Sequence, residues 1–336
     1  MNSVEQPAET AERTMQAIVQ DSYGTADVLR VAQTPRPEIA DNEVLLRVHA
    51  AGLDRGAWHL MTGRPYAIRL GVGLRRPRQP VLGREVAGTV VAVGSAVTRF
   101  SVGDEVFGMG QGAFAEYTAA KEGKLARKPA NITFEQAAVV TVSALTALQA
   151  LTDVGHVRPG QKVLIIGASG GVGSYAVQLA KSFGAEVTGV CSTAKLDLVR
   201  SLGAEHVIDY TRDDFADGTH RYDLILDIAG NPSPTRLRRA LTPKGTAVIV
   251  GGEAGGSLTG GLDRQVRAKA LSLFVGQRLT GMLCKERAAD LERLGELIEA
   301  GQLTASIERT YPLAQAPDAM RHLEEGKVRG KIAITV

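Results

Sequence analysis

At 336 residues the chain is too long for one small core and points to two domains. Its 39 basic and 36 acidic residues leave a net charge of +3, too weak a bias for a nucleic-acid surface. Two cysteines, Cys191 and Cys284, supply neither a disulfide framework nor a four-thiolate zinc lobe, and no apolar run is long enough to span a bilayer.

Residues 1–14 are polar and lack the apolar core of a signal peptide, so a disordered lead-in and a cytoplasmic location are expected. Short β-branched runs follow at 15–19, 43–49, 87–93 and 104–107, separated by Gly, Pro and Asp. They predict a partly antiparallel β domain. Thr133-Phe-Glu-Gln136 reads as a capping box, and 137–151 has helical composition. From Lys162 the pattern becomes strand, glycine turn, helix, strand. Strands are expected at 162–166, 186–190, 206–208, 224–228, 247–250 and 279–283, with helices at 174–183 and 195–202. This alternation predicts a doubly wound parallel sheet. The glycine-rich stretch 251–261 predicts a mobile loop. A helix over 288–300 ends at Gly301, and the tail reads as strand, helix, strand. The last strand, 331–336, is apolar enough to pair back into the first domain.

Gly167-Ala-Ser-Gly-Gly-Val-Gly173 follows an apolar strand and opens a helix. Glycines there let backbone N–H groups approach a pyrophosphate, and the helix N-terminus favours its charge. An NAD site would place Asp or Glu about 20 residues on, for the ribose 2′-OH. Here that place holds Val190-Cys-Ser-Thr-Ala-Lys195, with no carboxylate. Ser192, Thr193 and Lys195 suit a 2′-phosphate, so NADPH is the expected cofactor.

These residues, with Gly103-Asp-Glu-Val-Phe107, Gly112-Ala-Phe-Ala-Glu-Tyr117, Leu202-Gly-Ala204, Val207-Ile-Asp-Tyr210 and Gly330-Lys331, resemble the zinc-independent quinone oxidoreductase branch of the medium-chain dehydrogenase/reductase family. The resemblance implies an α/β protein in which a Rossmann domain (135–284) is inserted in a GroES-like, mostly β catalytic domain (1–134 plus 285–336). It also implies that Ser169, Gly170, Gly171, Val172 and Gly173 line the pyrophosphate. Ser192, Thr193, Lys195 and Tyr210 would hold the 2′-phosphate. Gly251, Met282 and Cys284 would meet the nicotinamide side, and Arg329 would touch the cofactor from the C-terminal segment.

Zinc-dependent relatives use a Cys, the His of a Gly-His-Glu motif and a third Cys or Glu. Asp54 and Arg84 fall at the first two positions, and the third falls within 141–143. A guanidinium stays protonated and cannot ligate a cation, so no metal is expected. Asp54 and Arg84 are expected to pair with each other in the vacated place. Without a Lewis acid, an activated acceptor is easier to reduce than a simple carbonyl. A quinone or α,β-unsaturated carbonyl fits, with Asp54, His59, Tyr66 and Arg84 as candidates to touch it. The alternatives are a zinc-free, NADP-dependent alcohol dehydrogenase or carbonyl reductase, and a crystallin-like NADPH-binding protein with an RNA-binding role. The basic segment 64–78, with no acidic residue, borders the substrate cleft by the same resemblance. It reads either as a solvated loop or as an attractor for an anion. A small-molecule substrate, no nucleic acid, no membrane and a homodimer formed at the 279–283 edge complete the expectation.

Overall fold

The computed structural model describes residues 13–229, 232–252 and 256–336. The lead-in expected over 1–14 therefore lies outside the described residues up to position 12, as does the 253–255 part of the 251–261 loop.

Alternating apolar and polar residues in the first third of the chain make antiparallel pairs. The strands there are β1 (Thr14–Val19), β2 (Arg30–Pro35), β3 (Glu43–Leu53), β4 (Glu85–Val93), β5 (Glu105–Met109), β6 (Tyr117–Lys121) and β7 (Leu125–Arg127). The middle supplies β8 (Lys162–Ile166), β9 (Glu186–Cys191), β10 (His206–Asp209), β11 (Tyr222–Asp227), β12 (Leu241–Ile249) and β13 (Arg278–Gly281). The tail adds β14 (Ile307–Pro312) and β15 (Lys331–Thr335).

β1 and β2 form a pair of their own, and a larger sheet runs β14-β15-β3-β4-β5-β7, with β6 also on β3. β15 lies antiparallel to β3, Ile332 opposite Leu53, so the apolar C-terminal strand closes onto the first third of the chain. The GroES-like unit is thus built from both chain ends. The other sheet runs β10-β9-β8-β11-β12-β13 and is parallel throughout. Chain order reverses on either side of β8, which opens a crevice at the C-terminal ends of β8 and β11.

Five helices matter to the site: α1 (Arg55–Thr62), α2 (Phe134–Ala138), α3 (Thr141–Gln149), α4 (Gly171–Ser182) and α5 (Leu262–Ser272). The capping box forms: Thr133 Oγ1 accepts from Gln136 N, and Gln136 Oε1 from Thr133 N at 2.9 Å. The single helix expected over 137–151 is instead α2, a break, then α3. The break has a partner. Val142 N, which a continuous helix would direct to Ala138, donates to the Glu85 carboxylate at 2.7 Å. Leu145, Leu148 and, just beyond α3, Leu151 then join the core that also holds Tyr175 and Leu179 of α4, each worth about 1.5–3 kcal/mol of burial. β12 starts earlier than the expected 247. Its opening passes through Pro243 and Gly245, which read as turn residues, and its pairing with β11 shifts register there.

Candidate active site

The crevice is built first by glycines. Gly167 leaves β8 at φ +88°, a conformation that disfavours side chains. At Gly173 a Cβ would stand 2.1 Å from the Gly167 carbonyl, so only glycine lets α4 start this close to the turn. A Cβ on Gly170 would meet only that same carbonyl, at 3.5 Å, so its outer face is open. Gly170 is also the N-cap of α4, and no side chain caps the helix. The first-turn N–H groups of a twelve-residue helix, those of Gly171 and Val172 among them, are thereby offered outward. Ser169 is buried, and its carbonyl accepts from Gly330 N at 3.1 Å, which ties the C-terminal segment to the turn. An open, uncapped, glycine-lined helix start fits a dinucleotide pyrophosphate.

At the end of β9, Ser192 flanks a short turn with no side-chain capping bond. Lys195 Nζ donates to Val328 O at 2.8 Å, which brings it beside exposed Arg329. Burial holds the Lys195 ammonium below its ordinary pKa, Glu308 opposes this, and the Arg329 charge adds to it. Two cations that weigh on each other suit an anion. The Thr193 hydroxyl, expected beside them, donates here to Asp209 at 2.5 Å. Asp209, from the end of β10, also accepts from Thr211 at 2.7 Å, and these two side-chain bonds hold its carboxyl below the usual range. The sequence reading missed this carboxylate because it arrives from the neighbouring strand. Tyr210 stands 63% exposed on the rim, its N–H bonded to Cys191 O.

On the other side of the crevice, Gly251 leaves β12 so close to β11 that a Cβ would meet Ile228 O at 1.8 Å. Arg264 of α5 is buried there. It pairs with Asp227 at the end of β11 and donates to Gly251 O at 3.0 Å and Pro232 O at 2.8 Å. Neither partner was foreseen, although an Asp closing an apolar strand is a signal for one. Met282 continues from β13, with its N–H 3.4 Å from Ile249 O. Cys284 is half-buried; burial pushes its thiol up, with the neighbouring Thr146 hydroxyl opposing.

Asp54 and Arg84 do not pair as expected. Asp54 caps α1, accepting from Ala57 N at 2.8 Å. Arg84 reaches Glu286, which follows β13 and also accepts from Lys124 at 2.5 Å. The buried pair is made by the next residue along: Glu85 with Lys331, at 2.7 Å. Lys331 Nζ also lies 3.1 Å from Ser143 Oγ. The pair sits under the glycine turn, since a Cβ on Gly171 would be 3.1 Å from Lys331 Cδ. Burial pushes the Glu85 carboxyl up to about 7, with Lys331 opposing and Asp54 reinforcing. Among the described residues no group of three His, Cys, Asp or Glu could hold a metal.

The segment 64–78 folds over this region. Tyr66 is 41% exposed, its ring under the Arg69 guanidinium, and its N–H donates to Ser257 O at 2.8 Å. His59 Nδ1 is 2.6 Å from Arg64 O, so the imidazole holds this segment in place. Beside Arg84 opens a cleft of about 510 Å³, walled by Leu60, Val72, Val81 and Met109. Gln20 in its wall has a buried carbonyl oxygen with no protein partner among the described residues.

Two family models match: an alcohol dehydrogenase GroES-like domain over 40–130 and a zinc-binding dehydrogenase domain over 202–334. The chain is 34% identical to the mitochondrial NAD(P)H oxidoreductase RTN4IP1 of Mus musculus, across 96% of this chain and 89% of that one. It belongs to the quinone oxidoreductase-like branch of the medium-chain dehydrogenase/reductase family. Within that family, the quinone oxidoreductase of Coxiella burnetii superposes with TM-score 0.86 at 30% identity, over 96% of this chain and 100% of that one. The Escherichia coli quinone oxidoreductase complexed with NADPH superposes with TM-score 0.82 at 26% identity, over 96% and 100%.

Proposed function

We propose that this medium-chain dehydrogenase/reductase is NADPH-dependent and reduces quinones or α,β-unsaturated carbonyls without zinc. The observation that carries the reading is Arg84, a permanent cation at the cleft where a metal ligand would stand. A guanidinium there repels a metal ion but donates hydrogen bonds to an oxygen gaining negative charge. The relatives support the cofactor class. NADPH, when bound, supplies the hydride. The turn 169–173 would hold its pyrophosphate, and Ser192, Lys195 and Arg329 its 2′-phosphate. Gly251, Met282 and Cys284 border the nicotinamide end, and Tyr210 the adenosine rim. The apolar cleft wall orients a ring or alkene and excludes water. Arg84 takes the acceptor oxygen; Asp54 and Tyr66 are the other candidates for contact.

NADPH consumption should follow addition of 1,4-benzoquinone, 1,4-naphthoquinone or 3-penten-2-one, and elemental analysis should find no stoichiometric zinc. Reduction of NADP⁺ by simple alcohols, with no turnover of quinones or enones, would sink the reading. So would one zinc per chain whose removal abolishes activity.

We also assign 1–134 with 285–336 to the catalytic unit and 135–284 to the dinucleotide unit. A homodimer that extends the parallel sheet is proposed too. β13 is its edge strand, and Val266, Leu273, Phe274 and Leu283 nearby are 68%, 80%, 84% and 89% exposed. An apolar edge left open invites another chain. Light scattering at micromolar concentration should give the dimer mass; a monomer refutes it.

A further inference from the structure

The cleft beside Arg84 is strongly and unequally charged. Arg78, Arg84, Lys121 and Lys124 line it against a single acid, Glu286, a formal excess of three positive charges. The cofactor's phosphates do not account for that excess. Lys195, Arg329 and the glycine turn, which fit those phosphates, are not among the residues that line this cleft.

The chain itself shows what the cations accept. The Glu286 carboxylate divides its two oxygens between Arg84 and Lys124. Burial works against its charge, but the Lys124 hydrogen bond and the Arg84 charge hold it below the usual carboxylate range. One carboxylate cannot neutralise both partners, and Arg84 and Lys124 stay 48% and 40% exposed at the side chain. Arg78 and Lys121 have no ion-pair partner among the described residues; Arg78 only donates to Gly71 O at 3.3 Å. Such a surplus of exposed cations draws anions in, most strongly at low salt.

We propose that the substrate of this cleft is a conjugated carbonyl compound bearing a carboxylate on the arm remote from the double bond, received by Arg78 and Lys121 while Arg84 keeps to the carbonyl oxygen. The inference rests on the reductase reading above. The carboxylate takes no part in the bond changes; it selects and orients the substrate. The basic segment 64–78 contributes Arg78 to the lining of this cleft, which Arg75 and Arg76 do not join.

The test compares an acid with its methyl ester, which has nearly the same shape and no charge. With the full-length protein saturated with NADP⁺, calorimetry should find 6-oxoheptanoate bound about tenfold or more tightly than methyl 6-oxoheptanoate, as charge-assisted hydrogen bonds imply. The advantage should shrink when salt rises from about 50 mM to about 300 mM. It should also shrink several-fold in an Arg78→Gln, Lys121→Gln double variant. Equal affinity for acid and ester, or a tighter ester, overturns the proposal. An unchanged ratio in the double variant overturns its assignment to this cleft. NADPH-dependent reduction of 6-oxohept-4-enoate and its ester reads the underlying function separately. If neither is reduced while the acid still binds preferentially, the anion site stands and the reductase reading fails.

Discussion

Replacing Lys195 with Ala is expected to weaken NADPH binding about 10- to 150-fold and to leave NADH binding nearly unchanged, the range a lost charge-assisted hydrogen bond allows. Of the three donors of the ammonium, one is occupied by Val328 O, which fixes the side chain at the end of β9 and leaves two for a phosphate. Arg329 is close enough to weigh on the same group, so Lys195→Ala combined with Arg329→Ala should lose more than either alone. Ser192→Asp should act more strongly still, because it adds repulsion of the phosphate and an acceptor for a ribose hydroxyl. Asp209 is not expected to play that part in the wild type. It is 6% exposed, and its oxygens are taken by Thr193 and Thr211. Fluorescence titration of both cofactors against wild type and each variant checks this. Equal losses for NADPH and NADH would mean that Lys195 serves the C-terminal segment through Val328 and does not read the phosphate. A wild type that prefers NADH would overturn the cofactor assignment.

The sequence discloses whatever is local. The capping box at Thr133, the glycine turn after β8 and the apolar run of β15 are each readable within a few residues, and each forms. Ion partners are not local. Arg84 finds Glu286 across 202 residues and Lys331 finds Glu85 across 246, so nothing near Arg84 favoured Glu286 over Asp54. The break between α2 and α3 has the same origin, because the Val142 N–H goes to a side chain from a distant strand. The acceptor of Thr193, Asp209, is not local either, because it ends the neighbouring strand of the sheet. One signal was available. Glu85 and Lys331 each stand beside apolar strand residues, where a lone charge is costly, so each needed an opposite charge in the core.

Lys331→Met is expected to destabilise the fold relative to wild type increasingly as pH rises above about 7, towards the roughly 3–5 kcal/mol that an unpaired buried carboxylate costs, since without Lys331 burial holds Glu85 protonated at lower pH. Glu85→Gln should behave differently, and the difference is a pH effect. The Glu85 carboxyl is pushed up to about 7 from an ordinary 4.5, because burial outweighs the attraction of Lys331, and the Asp54 charge adds to the rise. Tyr175, wholly buried nearby, stays neutral: burial raises its phenol, the Glu85 charge adds to the rise, and its hydroxyl donates to Val139 O. The folded chain therefore holds the Glu85 proton more tightly than the unfolded chain does. Stability from this group is complete below about pH 4.5 and is lost as pH rises through about 7, by at most about 3 kcal/mol. Gln cannot titrate. Urea unfolding of wild type and Glu85→Gln from about pH 5 to about pH 8 should show wild type losing ground steadily against the variant. A constant gap across that window would mean that Glu85 ionises in the ordinary carboxylate range. The pair under the glycine turn would then stay an ion pair across that window.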